Sequence, residues 1–229
     1  MIETKYDKAG DVAVVTMANP PANTFTVELG AGLEGAVRRA VGEQARALVL
    51  QADGPMFCGG ADVHLFAGTT AGQARDMFAE GFRLVEALED APFPVIAAVH
   101  GMCFAAGLEL ALACDLIIAA EGATFAQVEA KIGAATFLGG VYRLAERCGP
   151  ARAREIVFGA ETYDAAAFER WNIINRVVPD NDLREAALAW AQQLAKGPDL
   201  RARGDQTAAA VRARPRLPAS GPVPSRRRA

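Results

Sequence analysis

The sequence is poor in the residues that usually carry metal or nucleophile chemistry. It has two histidines, His64 and His100, with no ligand spacing around either, so neither a metal centre nor a histidine-activated nucleophile is expected. Its four cysteines, Cys58, Cys103, Cys114 and Cys148, stand singly without a CxxC pair, which points to reduced thiols. No window of about 18 uninterrupted apolar residues occurs, so a membrane-spanning helix is not expected. The opening Met1-Ile2-Glu3-Thr4-Lys5 lacks the basic-then-apolar pattern of a secretory signal, and a cytoplasmic protein is the expectation. No repeat of solenoid period is visible.

Positive charge is scarce in most of the chain. Residues 1–200 hold 16 Lys/Arg against 26 Asp/Glu, a net of −10, whereas residues 201–229 hold eight arginines and one aspartate, a net of +7. The overall −3 hides this split, and the body is not a nucleic-acid-binding surface by composition. The tail, with four prolines and little to bury, is expected to be disordered, or to serve as a basic arm for anionic partners.

What is present is a large apolar fraction. At 229 residues and 52% hydrophobic, one domain over residues 1–200 is expected, burying roughly 70–75% of its unfolded surface. Val12–Met17, Ala47–Gln51, Val95–Val99, Asp115–Ala119 and Ile173–Val178 read as strands rich in branched residues. Helical spacing falls at Leu29, Leu33, Ala36, Val37 and Ala40 behind a capping Thr26, then over about 72–90, 107–114 and 183–196. Pro150 suits the first turn of another helix. Alternating strands and helices give an α/β protein, and periodicity alone would suggest a doubly wound sheet.

Two segments carry candidate chemistry. Phe57-Cys58-Gly59-Gly60-Ala61-Asp62 follows a strand, and its small residues are either a tight turn or an open approach to backbone amides. Gly101 to Glu109 runs from a strand into a helix whose first amides are uncovered by small side chains at 105–107. Separately, either could be close packing. Together they can offer one N–H apiece to a single oxygen, which is an oxyanion hole. Glu109 sits in the first turn of an otherwise apolar helix, where burial would raise its pKa toward the range useful for proton transfer. Glu129 follows twenty residues later. It is either a solvated loop carboxylate or a second acid brought beside Glu109 by a returning strand.

These segments, in this order and spacing, resemble the signatures of the enoyl-CoA hydratase/isomerase (crotonase) family. The likeness extends from about residue 3 to 200, including Asn19-Pro20-Pro21-Ala22-Asn23, Phe125 to Leu144 and Asn175-Arg176-Val177-Val178. It implies a spiral of ββα units with a helical C-terminal region, usually assembled as trimers or pairs of trimers. It implies an acyl-CoA thioester substrate and no cofactor beyond the CoA carried by that substrate. By position, Ala61 and Ala106 would hold the thioester oxygen, and Glu109 and Glu129 would be the catalytic acids. Ala22, Cys58, Gly59, Asp62 and Val63 would line the CoA side, with His64 at its rim.

Two stretches depart from the family pattern. Ala134 to Gly140 replaces a loop that often contains Pro-Gly, and its bulky Phe137 is placed to shorten or redirect the acyl pocket. Beyond Pro198 the usual closing helices give way to the arginine-rich tail. Three readings follow from the resemblance: an enoyl-CoA hydratase, an enoyl-CoA isomerase using one carboxylate, and a non-catalytic acyl-CoA-binding or scaffold protein.

Overall fold

The computed structural model describes residues 3–62 and 69–197; Val63, His64 and the 201–229 tail lie outside them. Four strands form the centre of a six-stranded sheet: β2 (Val12–Ala18), β3 (Ala47–Ala52), β4 (Val95–Val99) and β6 (Leu116–Ala120). They pair in parallel and are buried almost throughout, which is why they read as near-continuous apolar runs. At one edge β1 (Glu3–Ala9) pairs antiparallel with β2. Its alternation of charged and half-buried residues suits an edge strand and hides it from a search for apolar runs. At the other edge lies β9 (Arg176–Val178), shorter than expected because the Ile173 and Ile174 amides both donate back to Phe168 O in a turn ahead of it.

A second, smaller sheet is built from β5 (Met102–Phe104), β7 (Thr124–Ala126) and β8 (Tyr163–Asp164). Two lone parallel bridges, Cys58 with Cys103 and Phe25 with Ala61, extend this layer. The chain therefore passes from the large sheet to the small layer and then into a helix, turn after turn. That is the ββα spiral, and it corrects the doubly wound sheet that periodicity alone suggested. The strands that make the difference have two or three residues, too few to show a period.

The helices are α1 (Val27–Gly42), α2 (Ala71–Glu89), α3 (Ala106–Ala113), α4 (Gly140–Gly159), α5 (Ala165–Arg170) and α6 (Leu183–Ala195). Thr26 caps α1, its Oγ1 accepting from the Leu29 N–H at 3.2 Å. α4 is interrupted at Gly149 (φ 79°, ψ 158°), and Pro150 opens its second half. Asp115, just ahead of β6, accepts from the Val95 amide at 2.9 Å. Among the described residues no helix is long and apolar enough to cross a membrane. Nor, among them, does any group of three or more His, Cys, Asp or Glu side chains stand where it could hold a metal.

Candidate active site

The first loop is fixed by its backbone. Cys58 N–H donates to Met102 O and Phe104 N–H to Cys58 O, both at 3.0 Å, so the segment lies alongside β5. Gly59 N–H donates to Ala22 O at 2.8 Å. Gly60 O and Asp62 N–H both bond to Phe25, at 2.8 and 3.1 Å. In a parallel pairing the residue between two such partners turns its own N–H away, so the Ala61 amide faces away from Phe25. Asn23 supports the approach to this loop from below. It is fully buried, and its amide donates to Asp53 O at 2.7 Å and Met56 O at 2.8 Å. In the sequence Asn23 stands out only within the Asn19-Pro20-Pro21-Ala22-Asn23 stretch, with no sign of this role.

The second loop ends at Ala105, whose φ of 49° and ψ of −120° are unusual for a residue with a Cβ. Holding such a conformation costs of order 1–3 kcal/mol, and such outliers cluster at functional sites. Ala105 has no side chain to cap α3, so the first amides of that helix, Ala106 foremost, have no intrahelical acceptor. The two loops touch: a Cβ built on Gly60 would lie 3.2 Å from the Ala105 methyl.

All eight residues of α3 are buried, including Glu109, which is 1% exposed. Its carboxylate meets the start of α4, where Gly139 offers no side-chain cap. Oε1 accepts from the Leu138 and Gly140 amides at 2.9 and 2.8 Å, and Oε2 from Phe137 at 3.4 Å. Burial is the largest influence on its pKa and raises it. The Gly140 amide lowers it, Glu129 raises it, and the amides of Phe137 and Leu138 lower it; the outcome is pushed up to about 7.

Glu129 opens a 3₁₀ turn, Glu129–Ile132, directly after β7. It is 7% exposed rather than a solvated loop residue, and burial raises its pKa as well. Gln127 Nε2 donates to Glu129 Oε1 at 2.7 Å. Glu129 Oε2 and Gln127 Oε1 are both buried without a partner. A carboxyl oxygen in that state favours the protonated form or waits for a ligand that donates to it. Gln127 was not singled out in the sequence; a polar residue within the buried Phe125-Ala126 neighbourhood was the available signal.

Glu109 and Glu129 line one cavity of about 430 Å³, together with Gly59, Gly60, Ala61, Ala105 and Ala106. The rest of the lining is apolar apart from Thr26, and includes Phe25, Val27, Ile132 and Leu138. Phe78 and Phe137 stack across part of it, with ring centroids 4.6 Å apart. Glu109, Glu129, Ala61, Ala106, Gly59 and Phe137 are thus brought together. Ala22, Cys58 and Asp62 stand outside the lining. Cys58 is wholly buried beneath the loop, its Sγ 3.8 Å from Gly60 O, and burial pushes its thiol up to about 11.

A family model described as enoyl-CoA hydratase/isomerase matches residues 7–219. Over 195 residues the chain is 36% identical to a Rhodobacter capsulatus protein named as a probable enoyl-CoA hydratase, covering 85% of this chain and 76% of that one. Over 187 residues it is 36% identical to a carnitinyl-CoA dehydratase of Salmonella typhi, covering 81% and 71%. A Thermobifida fusca structure solved in complex with CoA superposes with a TM-score of 0.79 at 28% identity, covering 91% of this chain and 89% of the other.

Proposed function

This chain belongs to the enoyl-CoA hydratase/isomerase (crotonase) family and has its α/β fold, and from that premise we propose that it adds water to a trans-2-enoyl-CoA thioester, or runs the reverse dehydration. The observation that carries the reading is the pair of buried carboxyl groups, Glu109 and Glu129, facing one largely apolar cavity beside two loops with uncovered backbone amides.

In the proposed mechanism the thioester oxygen lies against the Ala61 and Ala106 amides. Glu109, ionised, takes a proton from water as the water oxygen bonds to the β carbon. The electrons of the double bond move onto the thioester carbonyl, and the resulting enolate is held by the two amides. Such a donor typically contributes about 2.7–4 kcal/mol to the transition state. The enolate then collapses, and the α carbon takes the proton carried by Glu129. The net change is one H and one OH across the double bond, on the same face, and proton exchange with solvent then returns Glu109 to its ionised form and Glu129 to its protonated form. The three amides at the start of α4 keep Glu109 in the acceptor form this role needs, and the unpartnered Oε2 of Glu129 suits a proton carrier. Ala22, Gly59 and Asp62 flank the Ala61 loop and are assigned to the CoA side, Cys58 through its backbone only. We assign the catalytic domain to residues 1–200 and a trimeric or hexameric assembly.

The test is hydration of crotonyl-CoA, followed by the loss of enoyl-thioester absorbance, beside conversion of a 3-enoyl-CoA. Hydration with little conversion is expected. Conversion without hydration would assign an isomerase, and binding of CoA esters without either reaction would leave a non-catalytic acyl-CoA binder.

A further inference from the structure

Arg143, on the first turn of α4, does not line the cavity, yet only 8% of it is exposed. A buried cation persists only where it is paired and its donors are used. Arg143 Nε and Nη2 reach Glu89 Oε1, at the C-terminal end of α2, at 2.8 and 2.7 Å. Its Nη1 donates to the carbonyl of Leu138. Leu138 is also the residue whose amide donates to Glu109. It is therefore held from both sides, by Arg143 at its carbonyl and by Glu109 at its N–H.

The neighbouring positions agree with this arrangement. Gly139 has φ +87°, a conformation that favours glycine, and a Cβ there would lie 2.5 Å from Arg143 Nη1, so a side chain at 139 would push the guanidinium off its present place. A Cβ on Gly81 of α2 would lie 2.7 Å from Leu138 Cδ2, and Phe78 of α2 stacks on Phe137. Positions 78, 81 and 89 of α2 thus engage Phe137, Leu138 and Arg143 in turn.

We propose that Arg143 is a positioning residue: by gripping the Leu138 carbonyl it holds the amides of 137–140 on the Glu109 carboxylate, and Glu89 ties that grip to α2, the helix that walls the cavity with Phe78 and Gly81. The proposal rests on the reading of Glu109 as the base. Glu109 faces Glu129 from the 129–132 turn and three backbone amides from the 137–140 loop. Loosening the amides leaves Glu129 and burial to dominate, so Glu109 binds its proton more tightly.

The experiment is a carboxyl NMR titration of protein labelled with ¹³C at glutamate side chains, with Glu109→Gln identifying the resonance, beside pH profiles of kcat/KM on crotonyl-CoA. In Arg143→Met the Glu109 resonance should titrate about one pH unit higher than in the wild type, and the acidic limb of the profile should move the same way. Turnover should fall about tenfold or more with KM changed far less. Arg143→Lys, which keeps the charge but cannot fork between Glu89 and Leu138, should fall between the two. Should Arg143→Met not fold, Glu89→Gln loosens the anchor at similar shape and should move the resonance the same way by a smaller amount. A Glu109 resonance unmoved in the folded variants overturns the proposal, whatever happens to turnover. If instead Glu109→Gln keeps full activity, the hydratase reading fails, while an upward-moved resonance in Arg143→Met still upholds the positioning role.

Discussion

Replacing Glu109 by glutamine should inactivate the protein and stabilise it. The carboxyl is pushed from the ordinary 4.5 to about 7 in the folded state, chiefly by burial. A group whose folded pKa is raised binds more protons folded than unfolded between those two values. Stability is therefore fullest below about pH 4.5 and declines as pH rises toward 7, after which the penalty is constant. At about 1.36 kcal/mol per pH unit the penalty approaches roughly 3 kcal/mol at pH 8. Glutamine removes the charge and keeps one carbonyl oxygen for the Leu138 and Gly140 amides, the two shorter bonds at 2.9 and 2.8 Å. Its NH₂ would face the Phe137 amide, which lies 3.4 Å from the present Oε2, and that opposition subtracts something from the gain. A net gain of about 1–3 kcal/mol at pH 8 is expected, or several degrees in Tm for a domain of this size. Urea unfolding of both proteins at matched concentration from pH 5 to pH 8 measures it. The difference between mutant and wild type is the useful quantity, because other titrating groups largely cancel. It should grow steadily from pH 5 to about 7 and then level. A difference that is flat across that range would refute a raised Glu109 pKa and the account of burial behind it.

Glu129→Gln should lower turnover by about 10²–10⁴-fold with little change in KM or in the circular dichroism spectrum, since it removes the proton carried to the α carbon. The pH dependence of kcat/KM should be bell-shaped, falling when the pair gains a second proton and again when it loses its last, with one limb near neutrality. Phe137→Ala should raise kcat/KM for longer enoyl-CoA substrates relative to crotonyl-CoA, because it removes half of the Phe78–Phe137 stack within the cavity. Equal effects across chain lengths would place the acyl chain elsewhere. Ala105→Gly should raise stability by about 1 kcal/mol in urea unfolding, through relief of the positive φ at the start of α3.

The branched, continuous apolar runs of β2, β3, β4 and β6 determine by themselves that a buried parallel sheet forms, because a strand covered on both faces needs no polar side. The capping Thr26 and the spacing behind it likewise determine α1 locally. Glu109 was also legible, since a lone carboxylate among Leu108, Leu110 and Leu112 has few places to go but inward. Tertiary structure alone decided the second sheet, whose strands are too short to signal themselves and exist because β5 and β7 find each other. It decided between the two readings of Glu129, a solvated loop carboxylate or a second acid beside Glu109, by burying it. It also decided the hold on Glu109, whose amide donors lie 28 to 31 residues away along the chain. Periodicity reports only which face a residue turns inward; which partner waits there depends on loops closing across the fold.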